Sequence, residues 1–256
     1  MEFQSPIIAD MYCLLKSPEL IGDGGVSYTE LLAEDLKEDL LVWDKDRKFH
    51  LEDLNEKRIR RLGFYAEALL CLLFEHHPRF KLYAHNHQII EEGRTLGELD
   101  FVIEDLVQNR LIHLELACKF YIQTKPEMGL FGMVGINKND TLGRKWEHLQ
   151  NHQLQIPSSW FNGIEALGGR IPETICCLKG RMFYPDFENM PSEINPKHWK
   201  GVWIKNKETL SSSYQHVHKA AWISGTDPAR NAWPDMPYNA EMLFSEKEGW
   251  AIYLGE

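Results

Sequence analysis

Between residues 111 and 123 the chain alternates with a period of two, and this limits the fold more than any other segment. Ile112, Leu114, Leu116, Cys118, Phe120 and Ile122 share one parity and are all apolar; His113, Glu115, Ala117, Lys119 and Tyr121 share the other. Side chains alternate across an extended backbone, so the segment reads as a β-strand with Glu115 and Lys119 projecting from the same face. Residues 98–104 behave likewise, with Leu99, Phe101 and Ile103 on one face and Glu98, Asp100, Val102 and Glu104 on the other. The short link at 106–110 makes the two runs an antiparallel hairpin. Paired positions summing to 215 or 217 set Asp100 opposite Glu115 or Ala117, and an even sum would turn Asp100 against its own strand's apolar pattern. Either odd register gathers Asp100, Glu115 and Lys119 on one face.

Two carboxylates held this close repel one another unless a proton or cation lies between them. A hard divalent ion such as magnesium prefers such oxygen ligands. Glu67 is a third candidate: it interrupts the nearly apolar run Phe64-Tyr65-Ala66-Glu67-Ala68-Leu69-Leu70. If buried it needs a partner or must become neutral. Taken singly, each of these residues also reads as a solvated charge, and Glu115 with Lys119 as a surface ion pair worth at most about 1 kcal/mol. Their convergence on one face favours a site.

Around this hairpin the periodicity predicts a helix over residues 56–75, with Ile59, Leu62, Ala66, Leu69, Leu70 and Leu73 at helical spacing and a basic start at Lys57, Arg58, Arg60 and Arg61. A first strand covers 80–90. A second helix begins at Asp140, read as its N-cap, and runs to Gln153; a further strand covers 175–184. Shorter strands are expected at 201–205 and 249–254, a helix before Pro18, and another near 28–41. The order helix, three strands, helix, strand predicts an α/β fold with a mixed central sheet flanked by helices. Its core is 56–185, with an N-terminal helical and acidic addition over 1–55 packed on that core and a Trp-rich C-terminal addition over 186–256.

These residues resemble the PD-(D/E)XK nuclease superfamily: Glu67 on a first helix, Gly97-Glu98-Leu99-Asp100 on the second strand, and Glu115-Leu116-Ala117-Cys118-Lys119 on the third. The element order is similar to that superfamily's restriction-endonuclease-like core. More narrowly, the chain resembles an uncharacterised bacterial family, domain of unknown function eighteen-fifty-three, through Leu14-Leu15-Lys16-Ser17-Pro18, Gly97–Asp100, Glu115–Tyr121, Asp140–Leu154 and Lys179–Pro185. The resemblance implies magnesium- or manganese-dependent hydrolysis of nucleic acid, DNA before RNA. Asp100, Glu115 and Glu67 would hold metal, and Lys119 would orient the attacking water or stabilise anionic charge. The superfamily's lysine two residues after the glutamate is Ala117 here, and Lys119 lies two further along the same face. That departure sustains an alternative, a nuclease fold without cleavage that binds nucleic acid or protein.

Lys145, His148, His152 and Gln153 on the second helix, and Lys179 and Arg181 on the last core strand, are the candidate phosphate contacts. His148 and His152 are four apart, but no Glu follows the first His as in a zinc-protease motif. Gly22, Gly24 and Gly25 make no phosphate loop, because no Gly-Lys-Ser/Thr follows.

The net charge is −10, unevenly placed: residues 23–56 hold 11 acids and 4 bases, whereas residues 57–236 hold 20 acids and 22 bases. The near-neutral middle permits a polyanionic partner without demanding one. Five cysteines with no Cys-x-x-Cys pair argue against a disulfide framework or a cysteine zinc site. With neither a long apolar run nor a basic, apolar leader at Met1-Glu2-Phe3-Gln4, a cytoplasmic protein with no membrane partner is expected.

Overall fold

The computed structural model describes residues 3–22, 24–49, 54, 61–206, 208, 210–217, 222–224 and 240–254. Lys57, Arg58, Ile59 and Arg60 of the expected helix start lie outside the described residues. The chain opens with three helices, α1 (Pro6–Lys16), α2 (Tyr28–Asp35) and α3 (Lys37–Lys45). α1 stops at Ser17, whose hydroxyl donates to Leu14 O at 2.9 Å before Pro18. α2 begins on a capping box in which Ser27 and Glu30 satisfy each other's backbone N–H. α4 (Leu62–His76) follows, and then three long strands, β1 (Phe80–Glu91), β2 (Arg94–Asp105) and β3 (Arg110–Gln123). Next come β4 (Met133–Gly135), α5 (Leu142–His148), β5 (Glu173–Tyr184), β6 (Lys200–Ile204), β7 (Gln215–Val217), β8 (Ala240–Ser245) and β9 (Gly249–Leu254).

Among the described residues the strands form one mixed sheet in the order β1-β2-β3-β5-β6-β9-β8-β7, with β4 on β3. The hairpins β1–β2, β2–β3 and β8–β9 are antiparallel; β3–β5, β5–β6 and β6–β9 are parallel. The Trp-rich C-terminal stretch thus extends the same sheet. One face carries the largest apolar cluster, in which α1–α4 cover Leu114, Leu116 and Cys118. The other is covered by α5 and the segments around it, which bury Ala117, Tyr121, Leu178 and Met182 with Leu142 and Leu149. No helix among the described residues is long and apolar enough to cross a membrane.

The hairpin is tied to the N-terminal helices by one buried carboxylate. Asp105, fully buried at the end of β2, accepts from Arg79 Nε and Nη2 at 2.9 and 2.8 Å, from Tyr28 Oη at 3.0 Å, and from the Val107 and Gln108 N–H groups of the turn at 3.0 Å. Arg79 also donates to Asp35 at 2.7 Å. Burial pushes the Asp105 carboxyl up, but the Arg79 guanidinium and the turn N–H groups outweigh it and hold it below its ordinary value.

Two details of the fold differ from the sequence expectation. The N-cap of α5 is Thr141, whose hydroxyl accepts from Arg144 N at 3.3 Å; Asp140 turns its carboxylate to Lys119 instead. The helix also ends at His148 and opens into a π turn over Leu149–Gln153.

Candidate functional site

The β2–β3 ladder runs from Asp105↔Arg110 to Phe101↔Leu114, so its register sums to 215 and Asp100 stands next in line with Glu115. There the sheet forks. β2 stays paired with β1, while β3 continues along β5 from Ile112 to Ile122 and meets β4 only at Tyr121. Among the described residues no strand pairs with the edge of β3 between these pairings, and Asp100 Oδ2 fills part of it by accepting the Leu116 N–H at 2.8 Å.

Glu115 is 1% exposed although it carries a carboxylate. Its Oε2 accepts from Gln153 Nε2, and Lys145 Nζ donates to Gln153 Oε1 at 2.9 Å. Its Oε1 lies 2.7 Å from His113 Nε2 but off the line of a hydrogen bond, so among the described residues neither buried atom has a hydrogen-bond partner. The ring of His113 is fixed from behind by Thr174 Oγ1, 3.3 Å from Nδ1, and by the edge of Phe161.

The acids act on one another electrostatically. The Asp100 carboxyl is pushed up to about 8, first by burial, then by the neighbouring Glu115 and, more weakly, by Glu67; the Leu116 N–H and Lys145 oppose this. Glu67 lies on α4, which packs against the opposite face of β3, and it lines the cleft that holds Lys119 and Asp140; only its charge reaches Asp100. Lys145 is itself pushed down by burial and by the charge of Lys119, against the pull of Asp100 and Glu115. Burial and the charges of Lys145 and His152 also lower His148, which favours its neutral form.

Two clefts flank these groups. One of about 510 Å³ is lined by Asp100, Glu98, His148, His152, Gln153 and Trp160. Its wall depends on Gly97, because a Cβ there would sit 2.7 Å from the Trp160 ring. The other, about 300 Å³, has Glu67, Lys119, Asp140, Phe64, Phe120 and Trp222 on its walls.

The structure therefore brings together Asp100, Glu115, Lys145 and Gln153, with His148 and His152 on the adjoining cleft wall and their rings 5.0 Å apart; Glu67, expected as a third metal ligand, lines the neighbouring cleft instead. Lys119 borders the neighbouring cleft, but its amine is bound to Asp140 rather than Glu115. Lys179 and Arg181 are removed from the set. They pair in register with Cys118 and Phe120 and so point to the opposite face of the sheet. Lys179 is fully buried, with its amine on Ser17 O and Glu19 Oε1; Arg181 is 6% exposed, with its guanidinium over the rings of Trp199 and Trp250 at 5.2 and 4.1 Å. Parity shows that the two share a face, but α1 and α2 decide that this face is interior. His113 was not singled out from the sequence; its parity with Glu115 was the available signal.

As a test of fit to a divalent cation, Asp100 and Glu115 offer two adjoining carboxylates, one of them driven toward neutrality, whose repulsion a cation would relieve; the Glu115 oxygen without a hydrogen bond faces His113 Nε2. Among the described residues no three His, Cys, Asp or Glu side chains stand close enough to hold a metal by themselves. The set therefore suits an ion such as magnesium, which is commonly held by one or two carboxylates together with water and substrate phosphate.

No curated protein and no solved structure matches the chain significantly. A family model described as Domain of unknown function (DUF1853) matches residues 10–249, nearly the whole chain and every group of the site described above, and the chain belongs to that family.

Proposed function

We propose that the protein is a metal-dependent phosphodiesterase acting on nucleic acid, built on a restriction-endonuclease-like core, with DNA the first substrate to test. The observation that carries this reading is the pairing of Asp100 and Glu115 at the fork, with the Asp100 carboxyl pushed up to about 8 beside Glu115. Acids that only decorated a surface would not be held together against their mutual repulsion.

Asp100 and Glu115 would hold Mg2+ or Mn2+, and Glu67 would act on Asp100 only through its charge. Bound there, the ion would supply a nucleophile of lowered pKa and neutralise charge on the phosphate. The protein's own part is positional. Leu116 N–H fixes Asp100 through Oδ2 and leaves Oδ1 for the ligand, while Gln153 fixes Glu115 through Oε2. His148 and His152 line the larger cleft, where an imidazole N–H can donate to phosphate oxygens.

The test is cleavage of plasmid and of single-stranded DNA with magnesium or manganese. Loss of cleavage in Asp100→Ala/Glu115→Ala is expected, and equal activity in wild type and variant overturns the assignment. A second reading, a binding module without cleavage, is favoured by one observation: the amine of Lys119 is occupied by Asp140. Metal-independent DNA binding with no hydrolysis by the wild type would select it.

A further inference from the structure

Lys119 and Lys145 compete for one role, and the geometry separates them. Lys119 shares a strand face with Glu115, yet its amine is bound to Asp140, which is itself anchored by accepting the Thr141 N–H at 2.9 Å at the start of α5. That contact draws the ammonium toward the start of α5. Lys145 lies one turn into α5, half-buried, and its amine reaches Gln153 Oε1 at 2.9 Å, while the same Gln153 side chain donates to Glu115. A single amide thus links one ammonium to one carboxylate of the pair.

The link exists because the helix widens. In an unbroken α-helix, residues eight apart are displaced by about 80° around the axis, and Gln153 would swing away from Lys145. The π turn over Leu149–Gln153, closed by Leu154 N–H to Leu149 O at 2.9 Å, takes up the extra rotation and returns Gln153 beneath Lys145. The charges of Asp100 and Glu115 both reach Lys145.

We propose that Lys145, held by Gln153, is the amine that stabilises the reacting phosphate, and that Lys119 serves the fold at the start of α5. This rests on the hydrolase reading given above. In the step envisaged, the oxygen of water bonds to phosphorus and the ester P–O bond breaks. The proton lost by the water ends on the departing oxygen. The Lys145 ammonium neutralises charge on a non-bridging oxygen and is unchanged at the end.

The experiment compares wild type, Lys145→Met, Lys145→Gln and Lys119→Met on a single-stranded oligonucleotide with manganese. Urea unfolding serves as the check that each variant folds, and the Gln variant serves if the Met variant does not. Loss of one preorganised donor should lower kcat in Lys145→Met by about 100-fold or more. KM should stay within about threefold, and Lys119→Met should keep kcat within about fivefold of wild type. Calorimetric Mn2+ affinity of the metal-free protein should be unchanged or tighter in Lys145→Met, because a nearby positive charge has been removed. In the wild type, a bound phosphorothioate oligonucleotide should protect Lys145 from acylation more than Lys119.

Cleavage retained in Lys145→Met but lost in Lys119→Met overturns the assignment while leaving the hydrolase reading intact. Loss of Mn2+ binding in Lys145→Met also overturns it, since the residue would then be propping the ligand pair. A wild type that cleaves no nucleic acid defeats the hydrolase reading and the role of Lys145 with it.

Discussion

Asp100→Asn should stabilise the metal-free protein, and by an amount that grows with pH. In the folded state the Asp100 carboxyl is pushed up to about 8 by burial and Glu115, whereas in the unfolded chain it titrates near 4. Folding therefore takes up a proton between these values. The stability contributed by the neutral acid is fully present below about pH 4 and is lost progressively as pH rises toward 8. At about 1.4 kcal/mol per pH unit, the cost at pH 7 approaches 4 kcal/mol for a site sealed from water. Asp100 borders an open cleft, which lowers the expected figure to about 2 kcal/mol. Asn keeps an oxygen for the Leu116 N–H and carries no charge, so the variant should escape that cost. The assay is urea unfolding in chelator at pH 5 and pH 8. The variant should unfold near the wild-type midpoint at pH 5 and at clearly higher urea at pH 8. Added magnesium or manganese should then raise the wild type alone. A gap that is the same at both pH values, or a variant less stable than wild type at pH 8, refutes the reasoning.

Asp105→Asn should behave oppositely. It leaves the Arg79 guanidinium, 5% exposed, without its buried carboxylate, and should cost about 3–5 kcal/mol in urea unfolding at pH 7. Gly180→Ala should be among the most damaging single changes in the sheet, because its φ is +143° and a Cβ would lie 1.7 Å from Lys119 O; loss of soluble folded protein on expression is the expected readout. Gly97→Ala displaces the Trp160 ring from the cleft wall and should cost about 1–3 kcal/mol, with altered Trp fluorescence as the local signal. Lys179→Met removes the cation from the Glu19 carboxylate, which keeps the Leu178 N–H as donor, and should destabilise by about 3 kcal/mol, with much of the loss recovered in Lys179→Met/Glu19→Gln.

The shared face of the central hairpin was legible because period-two alternation on two strands and a short link leave two odd registers, of which the structure takes the one summing to 215. Asp100 and Glu115 could thus be set on one face from sequence, but not directly opposite one another. The partners of the lysines were not legible. Asp140 comes to Lys119 from the turn before α5, and no pairing rule relates a turn residue to a distant strand. The Lys145–Gln153 link needs a π turn, which a helical period of 3.6 does not anticipate. For Lys179 and Arg181 the shared face was readable, but its burial depends on α1 and α2 folding over β5. The site is therefore visible where strand geometry builds it and hidden where tertiary packing does.

The fork makes the two halves of the acid pair mechanically unequal. Glu115 sits on β3, which is laced to β5 from Ile112 to Ile122, whereas Asp100 belongs to a strand whose backbone pairs with β3 from Phe101 to Asp105 and which is held beyond that by the Leu116 N–H on the Asp100 side chain. A ligand spanning the pair would thus join a carboxylate set in the parallel centre of the sheet to one carried on its antiparallel β1–β2 edge.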